Sequence, residues 1–595
     1  MTIVAAPTAV DPDPDLGESA EPGEAPGDGD MDRDKEPVGA AAGGRPWMVR
    51  ATAGGWALVG VIYAIEAATI VRANRLWLAH RMPDDALYYL ETAQRMARGQ
   101  GPTFDGLHRT NGFHPLWEAM STGLALLFPH GGDPLIKAAL LTNLALSLVA
   151  VILVYRLLRR VVGPLGAIVA VLVSVHATAA LATWVNGMES AAVLAALALL
   201  LTALDWFDRR RDLRSAALAG AAAGLVVLAR VDMATVIWLV PVWMVWRCRH
   251  ERRVNQFTWL LAWGAAAGVP TAAWAGFNLA TVGHVLPVSG LLKLHAMVER
   301  AQSQFGGRLT SGYFRFVFSF VGHYLATLAG SADAQGVRFF PLTVLALAAL
   351  VLVAARRLLR PGVAIPGTGV AGARSVLLLG LAIVAAKAVT DLALLPFWAE
   401  EWYSAPARVA AGLLIGLGAY HCLGLALRHL RVVGVALAVM AVAAVLPFDG
   451  LRFLHSPSER AYPSYWQDAD VEAITWITAH GPVGVYGSTD AGVLGYYLDP
   501  GRPVVNLDGL VNDYRYAAML ERGVPPLQRY QAEGVRYLVG RLGTPGSQNV
   551  PPCAVQLWRS SQGVIYGGSG DSPGITTIPL RLFDLGGCPL VVPAA

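Results

Sequence analysis

Two adjacent carboxylates, Asp84 and Asp85, stand in the polar stretch Met82–Trp117 (MPDDALYYLETAQRMARGQGPTFDGLHRTNGFHPLW), which separates hydrophobic runs. A carboxylate at a membrane surface can act as general base for a hydroxyl, and a like-charged neighbour would raise its pKa toward working pH. The same pair also precedes a helical run with Leu87, Leu90, Ala93, Met96 and Ala97 on one face, so helix capping fits it equally well. Further along, TNGFHPLW offers Asn111, His114 and Trp117, types suited to sugar hydroxyls and ring faces, although a structural turn or an interfacial anchor would use them too. LPVSGLLKLH supplies Ser289, Lys293 and His295. A lysine there can hold a phosphate as a point charge, with nearby backbone amides helping, or it can meet lipid headgroups. Arg109, His114 and His295 are lesser candidates for the same phosphate.

Other ionisable residues read less sharply. Glu189 in NGMES, and Glu400 and Glu401 in FWAEEWYS, sit at turns beside aromatics and are candidate substrate contacts. Asp508 in NLDGLVND ends a strand-like run and reads as site or turn. Arg230 and Asp232 fall between two short apolar runs, where a charge pair is either functional or fixes the hairpin. Lys387 and Asp391, four apart, read as a structural ion pair, and Glu66 has no evident partner. GSTDAGVLGYY is glycine-rich but lacks the order of a dinucleotide-binding turn, which argues against a nucleotide site.

The elements that must position these residues follow from composition. A chain of 595 residues that is 55% hydrophobic and 15% charged has the profile of a polytopic α-helical membrane protein. Its net charge of +4 averages an acidic tail with basic turns and shows no nucleic-acid patch. Residues 1–46 are rich in Asp, Glu, Pro, Gly and Ala, and are expected to form a disordered acidic cytoplasmic tail. From 47 to 450, apolar runs alternate with basic clusters at 156–160, 208–214, 247–253, 356–360 and 428–431. Placing those clusters in the cytoplasm predicts about 11 spans: 53–73, 135–156, 165–184, 188–206, 215–230, 232–246, 257–279, 338–356, 375–396, 405–427 and 432–448. The 115–129 run is too short and reads as a re-entrant or interfacial helix. Only Arg72, Arg75 and Arg81 disagree with the scheme, since they fall outside the first span.

This topology keeps the N-terminus inside, in the plasma (inner) membrane, and places the acidic-pair loop, the polar connection 281–336 and residues 451–595 outside together. The last region alternates strand-like runs (484–487, 502–507, 535–540) with helix-like ones (470–479, 514–521, 526–532), which predicts an extracytoplasmic α/β domain with a mainly parallel sheet. Cys553 and Cys588 share that region and would pair in an oxidising compartment; two free thiols are the alternative. The competing classes are a transporter or flippase of lipid-linked sugars and a non-catalytic scaffold for envelope assembly; a transporter would be expected to show symmetric halves or matching broken helices, and the sequence shows no internal repeat.

The acidic pair in a first outer loop, followed by GQGPTF and TNGFHPLW ahead of a hydrophobic array, resembles the GT-C superfamily of membrane glycosyltransferases. Similar in plan are actinobacterial arabinofuranosyltransferases and the protein mannosyltransferase and aminoarabinose transferase groups. The resemblance implies a polyprenyl-phosphate sugar, arabinofuranose or mannose among the options, as donor, with Asp84 or Asp85 as base in an inverting transfer. It implies a cell-envelope glycan or glycolipid as acceptor. TNGFHPLW is not the Pro-Pro form of the mannosyltransferase-like groups, and no WWD-type motif is present, which weighs against the protein O-glycosyltransferase alternative. A divalent metal is compatible with this chemistry, and no ligand cluster demands one.

Overall fold

The computed structural model of the chain describes residues 46–176, 181, 184–308, 310–317, 349–356, 358, 370–394, 402–429, 466–541, 543, 545–546, 549–566 and 576–590. The acidic tail, Glu400, Glu401, the run 432–448 and most of the run 338–356 lie outside the described residues. Five described helices are long and apolar enough to cross a membrane: Pro46–Arg72, the stretch from Gly132, Ser190–Arg210, Arg253–Val282 and Val370–Leu394. Helical backbone is what lipid demands, because no water is available there to satisfy free N–H and C=O groups. The stretch Gly132–His176 is two helices, parted where Gly163 adopts φ 78° and ψ 166° ahead of Pro164, so the break expected between residues 156 and 165 falls there.

One expected crossing is shorter than the sequence suggests. A 3-10 turn, Val231–Thr235, takes the start of the 232–246 run and leaves a helix of 12 residues, Val236–Arg247. A span needs about 20 residues, so this helix does not cross on its own, and Arg230 and Asp232 sit at a break in the helical backbone. The helix before the break, Leu213–Ala229, packs on Arg253–Val282 through small residues: a β-carbon on Gly220 would stand 2.1 Å from the Trp263 carbonyl oxygen. The basic turns gather on a few acids, with Arg160 2.5 Å from Asp205, Arg247 2.7 Å from Asp208 and Arg211 2.6 Å from Glu251.

The polar stretch after the first helix folds into short helices. Asn74 caps Arg75–Arg81 by accepting the Trp77 N–H at 2.9 Å. Arg81 turns back to Glu66 at 2.5 Å and donates to the Val185 carbonyl at 2.7 Å, which supplies the partner the sequence did not show for Glu66. Helix Asp84–Ala97 follows, and after an irregular turn Pro115 opens the 13-residue helix Pro115–Leu127.

The C-terminal region begins with helix Trp466–His480 and contains a five-stranded sheet: β1 (Tyr486–Ser488), β2 (Val504–Asn506), β3 (Tyr537–Gly540), β4 (Val555–Tyr566) and β5 (Thr576–Asp584), in spatial order β2-β1-β3-β5-β4. The first three pair in parallel through helices Gly492–Tyr497, Tyr514–Glu521 and Pro526–Ala532, as crossovers require. β5 runs antiparallel to both its neighbours, so the sheet is mixed. Cys553 and Cys588 are bridged, with Cα atoms 5.1 Å apart. From Met48 to Ala595 the chain packs as one unit.

Candidate active site

The first turn of helix Asp84–Ala97 separates the acidic pair. The cap position is Pro83, and neither aspartate caps its own helix. Asp84 instead caps another one: its carboxylate accepts the N–H groups of Gly492 at 2.7 Å and Val493 at 2.9 Å, at the start of Gly492–Tyr497. Burial and the Asp490 charge push its carboxyl up to about 7 against the lowering effect of those two bonds, with Asp85 a minor contributor. The like-charge repulsion expected between the pair is therefore not what sets their acidity. Asp85, half-buried, turns into a cavity of about 290 Å³. Burial raises its pKa, the Lys293 charge lowers it, and Glu189 and Asp490 raise it further.

Lys293 faces Asp85 across this cavity from helix Val288–Phe305. Its Nζ donates to the Tyr403 hydroxyl at 2.9 Å, and Tyr403 and Asp85 hold the ammonium charged against the opposing effect of burial. The Arg230 guanidinium lies 3.8 Å from the centre of the Tyr403 ring, with Lys293 at 5.4 Å and Lys387 at 5.5 Å, so three cations gather on one aromatic ring. Arg230 is itself ion-paired with Glu189 and, at 3.0 Å, with Asp232. Asp232 lies 3.1 Å from Lys387, which also pairs with Asp391, so the helix break is filled by a chain of alternating charges rather than by two separate pairs. Buried charges of this kind persist when each is paired. His114 lines the same cavity; burial and the Arg230 charge push its imidazole down to about 4 although Glu189 opposes them, so it stands there neutral.

Of the residues proposed from sequence, the cavity gathers Asp85, His114, Glu189, Ser289 and Lys293, drawn from positions more than 200 apart. Asn111 and Trp117 are struts. Asn111 donates to the Leu286 carbonyl at 3.1 Å and accepts the Val288 N–H at 3.0 Å, fixing the start of the Lys293 helix. The Trp117 indole is fully buried and donates to the Gly187 carbonyl at 2.7 Å. Arg109 and His295 are exposed and do not line the cavity. Asp508 forms a turn by accepting the Leu510 N–H at 2.8 Å and stands 3.5 Å from the Tyr88 hydroxyl, behind the wall made by Leu510 and Val511. Glu401 lies outside the described residues.

Sequence reading did not single out Tyr88, Tyr89 or Tyr403. Tyr89 donates to Glu189 at 3.1 Å and accepts the His114 N–H at 3.3 Å, tying the two candidate loops together. Position in YYLET, one turn after the acidic pair, was the available signal. Among the described residues no group of three or more His, Cys, Asp or Glu side chains is arranged to hold a metal ion.

No family model matches the chain, and no curated protein does. Nineteen solved chains match it. One is the oligosaccharyltransferase of Archaeoglobus fulgidus in its apo form, 15% identical, with a TM-score of 0.49 over 83% of this chain and 69% of that one. Another is the same organism's AglB in complex with an inhibitory peptide and a dolichol-phosphate, 14% identical at a TM-score of 0.48 over 83% and 69%. A third is ArnT of Cupriavidus metallidurans bound to undecaprenyl phosphate, 15% identical at a TM-score of 0.38 over 82% of this chain and 93% of that one.

Proposed function

We propose that the protein is a membrane glycosyltransferase of the GT-C kind, moving a sugar from a polyprenyl-phosphate donor to a cell-envelope glycan or glycolipid at the outer face. The observation that carries this reading is one cavity with a carboxylate of raised pKa, Asp85, on one wall and a charged lysine, Lys293, on the other. Asp85 takes the proton from the acceptor hydroxyl. The hydroxyl oxygen bonds the anomeric carbon with inversion, and the breaking bond leaves its electron pair on the phosphate oxygen. Lys293, oriented by Tyr403, meets the charge that grows there, an interaction strongest in the transition state. His114, neutral, and Ser289 offer hydrogen bonds to sugar hydroxyls. Asp84, whose carboxyl burial also raises, is occupied by backbone N–H groups and is not the base.

The proposal keeps the N-terminus in the cytoplasm and the C-terminal region outside, with Asp85 and Lys293 on the same side as the sheet region. Arabinofuranose and mannose are the donor sugars to try first. The test is transfer from each labelled polyprenyl-phosphate sugar by protein in membranes, with Asp85→Asn and Lys293→Gln alongside. Undiminished transfer by Asp85→Asn sinks the assignment of the base, and movement of labelled lipid across the bilayer without product favours a flippase.

A further inference from the structure

Asp84 and Asp85 are adjacent, yet only Asp85 reaches the cavity. Asp84 is 7% exposed, and both its oxygens are engaged by N–H groups more than 400 positions away, Gly492 and Val493. The contact leaves no slack, since a β-carbon on Gly492 would stand 2.1 Å from the Asp84 carbonyl oxygen. One turn along the same helix, the Tyr88 hydroxyl accepts from the Asn506 amide at 3.0 Å and from the Ala491 N–H at 3.3 Å. Asn506 ends β2, and its side-chain oxygen accepts the Val511 N–H at 3.4 Å. Leu510 and Val511 are cavity wall. A hydrogen-bonded path thus leads from Asp84 through residues 491–493 and 506 to the surface that faces Asp85.

We propose that Asp84 is a positioning residue: it does not meet substrate, and it latches the 490–511 segment of the C-terminal region so that Leu510 and Val511 close the cavity in front of Asp85. This rests on the reading of Asp85 as base. With the latch broken, Asp85 and Lys293 remain in place, but the wall that excludes water is loosened. Water then competes with the acceptor hydroxyl: its oxygen bonds the anomeric carbon, Asp85 takes its proton, and polyprenyl phosphate leaves with free sugar as the other product. The distinguishing readout is the partition between transfer and donor hydrolysis, which a loss of folded protein would lower in parallel.

The experiment uses the full chain in lipid nanodiscs, with polyprenyl-phosphate arabinofuranose and mannose as probes and amide hydrogen exchange across 488–512. Asp84→Ala should speed exchange at Gly492 and Val493 at least tenfold and cut transfer at least tenfold, while donor hydrolysis falls less than threefold or rises. Asp84→Asn, which keeps one acceptor oxygen, should be intermediate, and Gly492→Ala should repeat the signature from the other side of the contact. Asp85→Ala should abolish both reactions with exchange like the native protein. Unchanged exchange in Asp84→Ala overturns the latch. So does faster exchange with an unaltered partition, or parallel loss of both reactions at native exchange, which would put Asp84 on the substrate. If Asp85→Ala stays active, the base assignment fails, while the exchange data still judge the latch.

Discussion

On the proposed reading, Asp85 and Lys293 can act as base and phosphate partner only with their charges poised oppositely. A general base contributes about 10²–10⁴-fold, so Asp85→Asn should lower kcat by roughly that factor, with thermal stability retained, as single-turnover kinetics would show. Because burial and Glu189 raise its pKa, the acid limb of the pH–rate profile should lie above the ordinary aspartate range, activity being lost as pH falls and the base takes up its proton. Tyr403→Phe keeps the ring near Arg230 and removes the hydroxyl beside Lys293, and on the proposed reading should weaken affinity for a polyprenyl phosphate by about tenfold, read by a binding titration, which is the worth of one charge-assisted hydrogen bond. None of this was ordered in the sequence. The acidic pair read the same for both members because their difference lies in what each meets, and the partners of Asp84 are 408 and 409 positions away. Tyr403 carried no signal at all beyond lying beside FWAEEW.

At the scale of elements, the apolar runs and their punctuation were readable, since lipid leaves the backbone little choice but helix. Helices Tyr514–Glu521 and Pro526–Ala532 fall where turn residues and periodicity placed them. The break at Arg230–Asp232 was visible as a polar interruption, but the 3-10 turn that shortens the next helix was not, because Met233 and Ala234 suit a regular helix as well as a 3-10 turn. Asn111 looked like a sugar ligand and serves as a strut, a distinction that composition cannot make. Asn111→Ala should cost about 1–3 kcal/mol in unfolding free energy by leaving the Val288 N–H unpaired, and should raise the KM for donor by letting the Lys293 helix shift. Arg81→Met strands the Glu66 carboxylate in a buried setting, and should cost about 3–5 kcal/mol, measured by thermal unfolding in detergent, with Glu66→Gln on top restoring part of it.

Across the whole molecule, the cavity is built by both regions, so its properties depend on how they dock. The folded protein binds a proton at Asp84 more tightly than the unfolded chain, in which the group titrates near its ordinary value of 3.8 rather than at about 7. The sign follows from linkage: the contribution is fully present below about pH 4 and is lost as pH rises toward 7. Relative to Asp84→Asn, whose side chain does not titrate, the native protein should therefore lose melting temperature between those pH values; a difference constant with pH would contradict the shift.

The strand order β2-β1-β3-β5-β4 has a consequence for the timetable of synthesis. The described strand that comes latest in the sequence, Thr576–Asp584, is interior to the sheet, lying between β3 and β4. Until it leaves the ribosome, β3 has a bare edge and β4 has no neighbour to pair with. The five described helices able to cross a membrane all precede it in the chain, so they can be threaded into a bilayer while the sheet is still being made. On the proposed reading, the helices would thus be assembled first, and the sheet behind the cavity wall would be completed only when Thr576–Asp584 is delivered.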